Sequence, residues 1–449
     1  MAHFTKQGAG PGPPRFFGSA YPDRSPAPAY NPFMNTLSYS SRLHFHPTWV
    51  KIENTAPCSD RATLRKERFP MNQKEISELR RRWRPEKNAV SHIYGCFVNS
   101  NKEIVSDLDE SLGIMPEEEA EKYLNLLKKS LSGTLGKNLI DIVFSTQQVM
   151  DSEEHQLLSA LRSSALKDGQ VRSSFYRKVI DSLDMGDCGY LLLLACDFYD
   201  VPRKGRDDTI QADGSEDVFT YILCCVCPVK LGKAELHYFP GDNEFHYTAG
   251  QVVSAPELGF LFPAFDDRAA NIYNALFYSR KADEIHQEFI DAVFHTEPPM
   301  SAAEQREAFQ SALSEALEDT YSMEVARSIH ERLTDQIAQH KERKSLEPLA
   351  ATVGDIGAIL QDCGVPQERV DAFQASCGEK FGGNAVLSPI NLIDAGKFEV
   401  KTSQVTVSVS PDQSYLVETR TIDGKKYLLI PAEEDVEING QTVKLEDKQ

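Results

Sequence analysis

The 449-residue chain lacks most of what would mark a membrane, secreted or nucleic-acid-binding protein. Its longest apolar runs, Tyr190 to Cys196 and Tyr221 to Pro228, fall far short of the ~18 residues a helix needs to cross a bilayer. No basic stretch followed by an apolar one opens the chain, and nine cysteines, an odd number without framework spacing, do not suit a disulfide scaffold. These absences point to a reducing cytoplasm and to no membrane partner. Positive charge is also scarce. Lys and Arg number 48 against 67 Asp and Glu, and the resulting net charge of −19 repels phosphate backbones and argues against general nucleic-acid binding. Catalytic signatures are missing too: there is no Gly-x-Ser-x-Gly elbow and no His-Glu-x-x-His helix. The stretch Gly133-Thr134-Leu135-Gly136-Lys137-Asn138 is not a Walker loop, because its glycines are too close, no Ser or Thr follows the lysine, and a helix precedes it where a strand belongs. No cofactor is indicated.

What is present describes a globular protein. Apolar residues make up 41% and charged residues 26%, enough for a sizeable core, and the length suggests two or three folded units at ~100–200 residues each. Residues 1–70 stand apart, with ten of the 24 prolines and nine basic against four acidic side chains, +5 in all; the remainder carries −24. Gly10-Pro11-Gly12-Pro13-Pro14 and Ser25-Pro26-Ala27-Pro28 can sustain neither backbone ladder, so this segment is expected to be a disordered extension. At Met71 the pattern changes abruptly. Asn72 and Glu75 form a capping box, and Ile76, Leu79 and Trp83 mark one helical face. Lys66-Glu67 can be encoded by a ribosome-binding purine run at a workable distance from Met71. A mis-called start is therefore expected, with a functional Pro-rich tail as the alternative.

The spacing from 71 to 342 predicts an α+β domain. A first helix stops at Arg84-Pro85, leaving Arg80, Arg81, Arg82 and Arg84 at the negative end of its dipole; a nucleic-acid contact is the sharper, weaker reading of that run. Strands are read at 90–98 and 138–144, helices at 116–131, 153–166 and 171–183, and then six strands at 190–199, 218–229, 235–239, 245–249, 259–265 and 272–279. Helices return at 282–294, 301–317 (with a Ser301/Glu304 capping box) and 323–341. Strands in a block and then helices in a block imply a central antiparallel sheet flanked by helices. A linker with short helices is expected over 343–396, and a small all-β module over 397–449 with tight turns at Asp423-Gly424 and Asn439-Gly440.

Three groups could carry chemistry. In Cys224-Cys225-Val226-Cys227, a zinc site would need His237 or His246 as further ligands, and the favoured reading is small buried hydrophobes in a central strand without metal. The apolar strand ending in Phe265-Asp266-Asp267-Arg268 either binds a ligand or closes a turn with a salt bridge. In a meander the strands 190–199 and 259–265 finish at one sheet edge, which would bring Asp200, Asp266, Asp267 and Arg268 together with Glu216 and Asp217 as a ligand-binding edge. An enzyme using Asp197, Asp200, Asp266 and Asp267 as acid/base groups or divalent-cation ligands, with Arg268 clamping an anion, would need those carboxylates in one cleft. Scattered carboxylates with an exposed apolar patch would instead mark a module that binds a protein or small-molecule partner without catalysis, the preferred reading.

Several stretches together, Leu131-Ser132-Gly133-Thr134-Leu135-Gly136-Lys137-Asn138, Tyr221-Ile222-Leu223-Cys224, Cys227-Pro228-Val229, Gly259 to Arg268, Leu416-Val417-Glu418-Thr419-Arg420 and Ile422-Asp423-Gly424, resemble the bacterial family known as domain of unknown function 4317. The resemblance runs from Met71 to near the C-terminus. It implies a family and no mechanism.

Overall fold

The computed structural model describes residues 71–443 apart from 88, 205–209, 212–217, 298, 346–347, 383–385 and 433–435, so the expectation for residues 1–70 lies outside the described residues. Helix α1 (Gln73–Arg80) starts at the foreseen capping box, with Asn72 and Glu75 exchanging side-chain and backbone hydrogen bonds, and buries Ile76 and Leu79. Strands β1 (His92–Val98) and β2 (Ile104–Ser111) form a hairpin, and α2 (Glu117–Lys129) and β3 (Leu139–Val143) follow. Three helices, α3 (Thr146–Asp151), α4 (Glu153–Ser163) and α5 (Gly169–Ser182), lead to β4 (Gly189–Asp200) and to the short pair β5 (Arg203–Lys204) and β6 (Ile210–Gln211).

The centre of the molecule is β7 (Val218–Phe239), one strand of 22 residues where the sequence suggests two. The apparent turn at Gly232-Lys233 is a bulge: the register with β8 (Glu244–Val253) slips between Leu231 and Ala234 and then continues. A bulge inserts an extra residue without reversing the strand, so the glycine is a poor guide here. Strands β9 (Leu258–Phe262), β10 (Ala264–Asp266), β11 (Ala269–Asn271) and β12 (Asn274–Ser279) complete the block. The eight-stranded antiparallel sheet has the order β2-β1-β4-β7-β9-β12-β3, with β8 on the far half of β7.

Both faces of the sheet are covered, so its middle strands are apolar on both sides. Ile222, Cys224 and Val226 of β7 join a core with α4, α5 and α6 (Gln287–Phe294), whereas Tyr221, Leu223, Cys225 and Cys227 join a core with α1 and α2. Gly259 lets α2 approach: a Cβ there would lie 2.7 Å from that of Ser130, which caps α2, and 2.4 Å from the carbonyl oxygen of Cys224. The result is a helix–sheet–helix sandwich. A third core joins α7 (Ala302–Leu317), α8 (Met323–Glu342), α9 (Val353–Asp362) and α10 (Gln367–Phe381), on both sides of the polar stretch near 342–352. This helical layer touches the sheet domain through buried Asn391, which donates to the carbonyl oxygen of Gly136 at 2.7 Å.

Among the described residues the last segment forms three separate antiparallel hairpins, at 398–409, 418–429 and 436–443, and not one shared sheet. Asp423 and Gly424 (φ 49° and 74°) and Asn439 and Gly440 (φ 54° and 79°) adopt the paired positive φ of primed turns, as their sequences imply. Among the described residues no helix is long and apolar enough to cross a membrane.

Beyond Val229 the two-stranded continuation of β7 and β8 leaves the sheet as an arm. Residues opposite one another share a face, which places Leu236 with Tyr247 and Tyr238 with Phe245 on one side, and Glu235 with Thr248 and His237 with His246 on the other. The first side is an apolar ladder in contact with solvent: Leu236 is 68% exposed, Tyr238 48%, Phe245 68% and Tyr247 73%.

Candidate functional site

Register places the end of β4 and the end of β9 at the same side of the sheet. Cys196 of β4 and Phe262 of β9 both pair with Ile222 of β7, so β4 and β9 run the same way, and both chains leave the sheet at one edge. Asp200 ends β4 there, exposed and in ladder register with Val218. Four residues past Phe262, Asp266 closes β10, and Asp267 and Arg268 fill the two central positions of the β10–β11 turn with φ 46° and 63°. The Arg268 guanidinium reaches back to Glu78 of α1 at 3.1 Å and to the carbonyl oxygen of Pro202 at 3.1 Å, tying this turn to the segment after β4. Tyr199 donates its hydroxyl to the same Glu78. Glu216 and Asp217 lie outside the described residues.

The carboxylates at this edge do not act as a set. Asp197 is fully buried and accepts two hydrogen bonds from Arg82, at 2.6 Å from Nε and 2.7 Å from a terminal nitrogen, and a third at 2.8 Å from the Tyr221 hydroxyl. Trp83 Nε1 donates to that hydroxyl at 3.1 Å, and the Arg82 guanidinium lies 4.3 Å from the centre of the Tyr199 ring. Burial lowers the Arg82 pKa, but the hydrogen bond and charge of Asp197 outweigh it and the net shift is upward; burial, then Asp197, holds the Tyr221 phenol well above its ordinary range. This ion pair has its carboxylate in the core and its guanidinium partly exposed at the core's margin, and it explains one arginine of the basic run.

Sequence reasoning missed a second network. Asn271 donates to Asp266 at 3.2 Å and to Asn274 at 3.0 Å, and Asn274 donates to both oxygens of Asp141 at 3.0 and 2.9 Å. Burial, reinforced by the charge of Asp266 and opposed by the Asn274 hydrogen bonds, pushes the Asp141 carboxyl up to about 7. Glu75 is also raised, first by burial and further by Asp266 and Asp267. One signal was available in the sequence. Asp141 interrupts the apolar run Leu139-Ile140-Asp141-Ile142-Val143.

The cysteines divide between faces, Cys224 in one core and Cys225 and Cys227 in the other, with 3.7 Å between the last two sulfurs. His237 and His246 face each other on the arm, and His237 lies ten residues beyond Cys227, roughly 33 Å at strand rise. These residues cannot close one zinc shell. Among the described residues no three or more His, Cys, Asp or Glu side chains come together as a metal-binding group.

A cavity lies elsewhere, between the end of α1, the outer face of α2 and the root of the arm. It measures about 690 Å³ and is lined by Arg80, Lys122, Lys128 and Lys129 around Tyr123, Leu126, Leu191 and Val253. Asp200, Asp266, Asp267 and Arg268 are not among the residues that line it.

A family model described as domain of unknown function (DUF4317) matches residues 71–441. No curated protein and no solved structure matches the chain.

Proposed function

We propose, for a chain that belongs to the family described as domain of unknown function (DUF4317), a non-catalytic binding role in which the β7–β8 arm pairs with the same arm of a second copy. The observation that carries this reading is the unpartnered apolar ladder of the arm. A two-stranded ribbon alone is marginal in water, and one apolar face calls for cover. Exposed area favours a second copy as that cover, its ladder turned two-fold onto this one, while Lys230 and Glu244, opposite Val252 and Phe239, stay on the other face of the arm. An aromatic side chain presents ~150–250 Å², so three aromatics and a leucine at these exposures bury on the order of 1,000 Å² over two chains, where specific interfaces begin.

The enzyme reading loses its support in Asp197, which Arg82 neutralises inside the core, and in Asp267 and Arg268, which build a turn. The same Arg82 pairing removes one cation from the run that would have met nucleic acid. Eight cysteines among the described residues are unpaired, as a bacterial cytoplasm would leave them.

Light scattering across a concentration series tests the role. The native chain should run as a dimer at micromolar concentration, and Phe245→Lys/Tyr247→Lys as a monomer with unchanged circular dichroism. A native chain that stays monomeric, or a variant that stays dimeric, overturns the reading.

A further inference from the structure

We infer that the cavity between α1, α2 and the arm's root is a binding site for a small organic phosphate, its anionic end toward Arg80 and Lys128 and its apolar body on Tyr123, Leu126, Leu191 and Val253. The inference goes beyond the arm's role and does not depend on it. Four cations line this space with one carboxylate, Glu119, in a chain whose net charge is −19. Positions in the last turns of α1 and α2 account for Arg80, Lys128 and Lys129 one at a time, since cations are favoured at helix C-termini. They do not account for convergence on one cavity.

Two features accompany this excess of positive charge along the cavity wall. Arg80 Nε is shut off from solvent and has no hydrogen-bond partner, a state that costs free energy unless an acceptor arrives. The Lys128 ammonium is pulled below its usual range first by burial and then by Arg84 and Arg80, against the opposing charges of Glu121 and Glu86. A phosphate matches the excess positive charge of this wall. It offers up to two negative charges and several acceptor oxygens, which suit a guanidinium fork and clustered ammonium groups better than a single carboxylate does. The apolar wall gives the ligand a body: Tyr123, Leu126 and Leu191 are half-buried against the sheet core, and the volume falls within the ~300–1,000 Å³ of small-molecule sites.

Calorimetry on the full chain with 1-naphthyl phosphate, inorganic phosphate and 1-naphthol as separate probes tests the site. The expected result is one 1-naphthyl phosphate per chain, bound about tenfold or more tightly than either of the other probes, and weakening as salt rises. Arg80→Gln/Lys128→Gln should lose about tenfold in affinity for the phosphate ester. Lys122→Gln/Lys129→Gln, at exposed positions that leave folding untouched, should lose affinity in the same direction, and Arg81→Gln, outside the cavity, should lose none. The monomeric Phe245→Lys/Tyr247→Lys chain should bind as the native chain does, which separates failure of the site from failure of the arm. Absence of binding by the native chain, naphthol binding as tightly as its phosphate ester, or unchanged affinity in both double variants would overturn the inference.

Discussion

The two halves of β7 carry one backbone through opposite surroundings. From Phe219 to Val229 every residue except Thr220 is buried, because helices cover both faces; from Lys230 to Phe239 none is buried. The first half accordingly reads as a continuous apolar run, and the second alternates within its ladder, with Leu236 and Tyr238 on one face and Glu235 and His237 on the other. The difference shows that the tolerance of a β-strand for charge and volume is set by what packs on it, and hardly by the strand itself. In the sheet body a charge needs a dedicated partner, as Asp197 has in Arg82. On the arm, Glu235, Asp242 and Glu244 need only water, and the unusual groups are the apolar ones.

The largest effect that would sharpen this contrast comes from Arg82→Met, which leaves Asp197 buried without its partner. A loss of about 3–5 kcal/mol in urea unfolding is expected, and a loss below one would mean that Asp197 can reach water. Next is the pH dependence of Asp141. In the unfolded chain its carboxyl ionises near the usual ~4, and in the folded protein only near about 7, so between those values the unfolded state has already released a proton that the folded state keeps. Rising pH therefore lowers stability through that window, by about 4 kcal/mol in total at ~1.4 kcal/mol per pKa unit. Asp141→Asn should remove this slope. A slope that persists unchanged in the variant would place its origin elsewhere.

Gly259→Ala should cost about 1–3 kcal/mol, because the added carbon meets the backbone of β7 and the end of α2. Gly250→Ala on the arm, where an added Cβ meets nothing within 4 Å, should stay within about 0.5 kcal/mol. Equal effects of the two, read by thermal melting, would break the comparison between body and arm.

Much of the fold was legible where the signal is local. The capping boxes Asn72/Glu75 and Ser301/Glu304 fixed two helix starts within a residue, and Asp423-Gly424 and Asn439-Gly440 fixed two turns, since each depends on a few neighbouring atoms. Strand β2 escaped notice because Ile104 to Ser111 is an exposed edge whose polar residues blunt the apolar pattern, a common guard against edge pairing. The single span of β7 escaped because a bulge glycine and a turn glycine look alike. The common direction of β4 and β9 was inferred from six strands where the structure has a different set; reading β7 as two strands left the direction of β9 unchanged, because β8 and β9 both run antiparallel to β7.

By itself, then, the sequence determined the α+β class, the antiparallel sheet, the helix starts and the primed turns, all of which follow from propensity and spacing within a few residues. Tertiary structure alone decided what each charged side chain means. Arg80 and Arg82 are two residues apart on one basic run, yet one is locked to a carboxylate 115 positions away while the other keeps an unanswered donor at the wall of a cavity. Electrostatic roles depend on burial and on partners brought in by the fold, and neither is a property of local sequence.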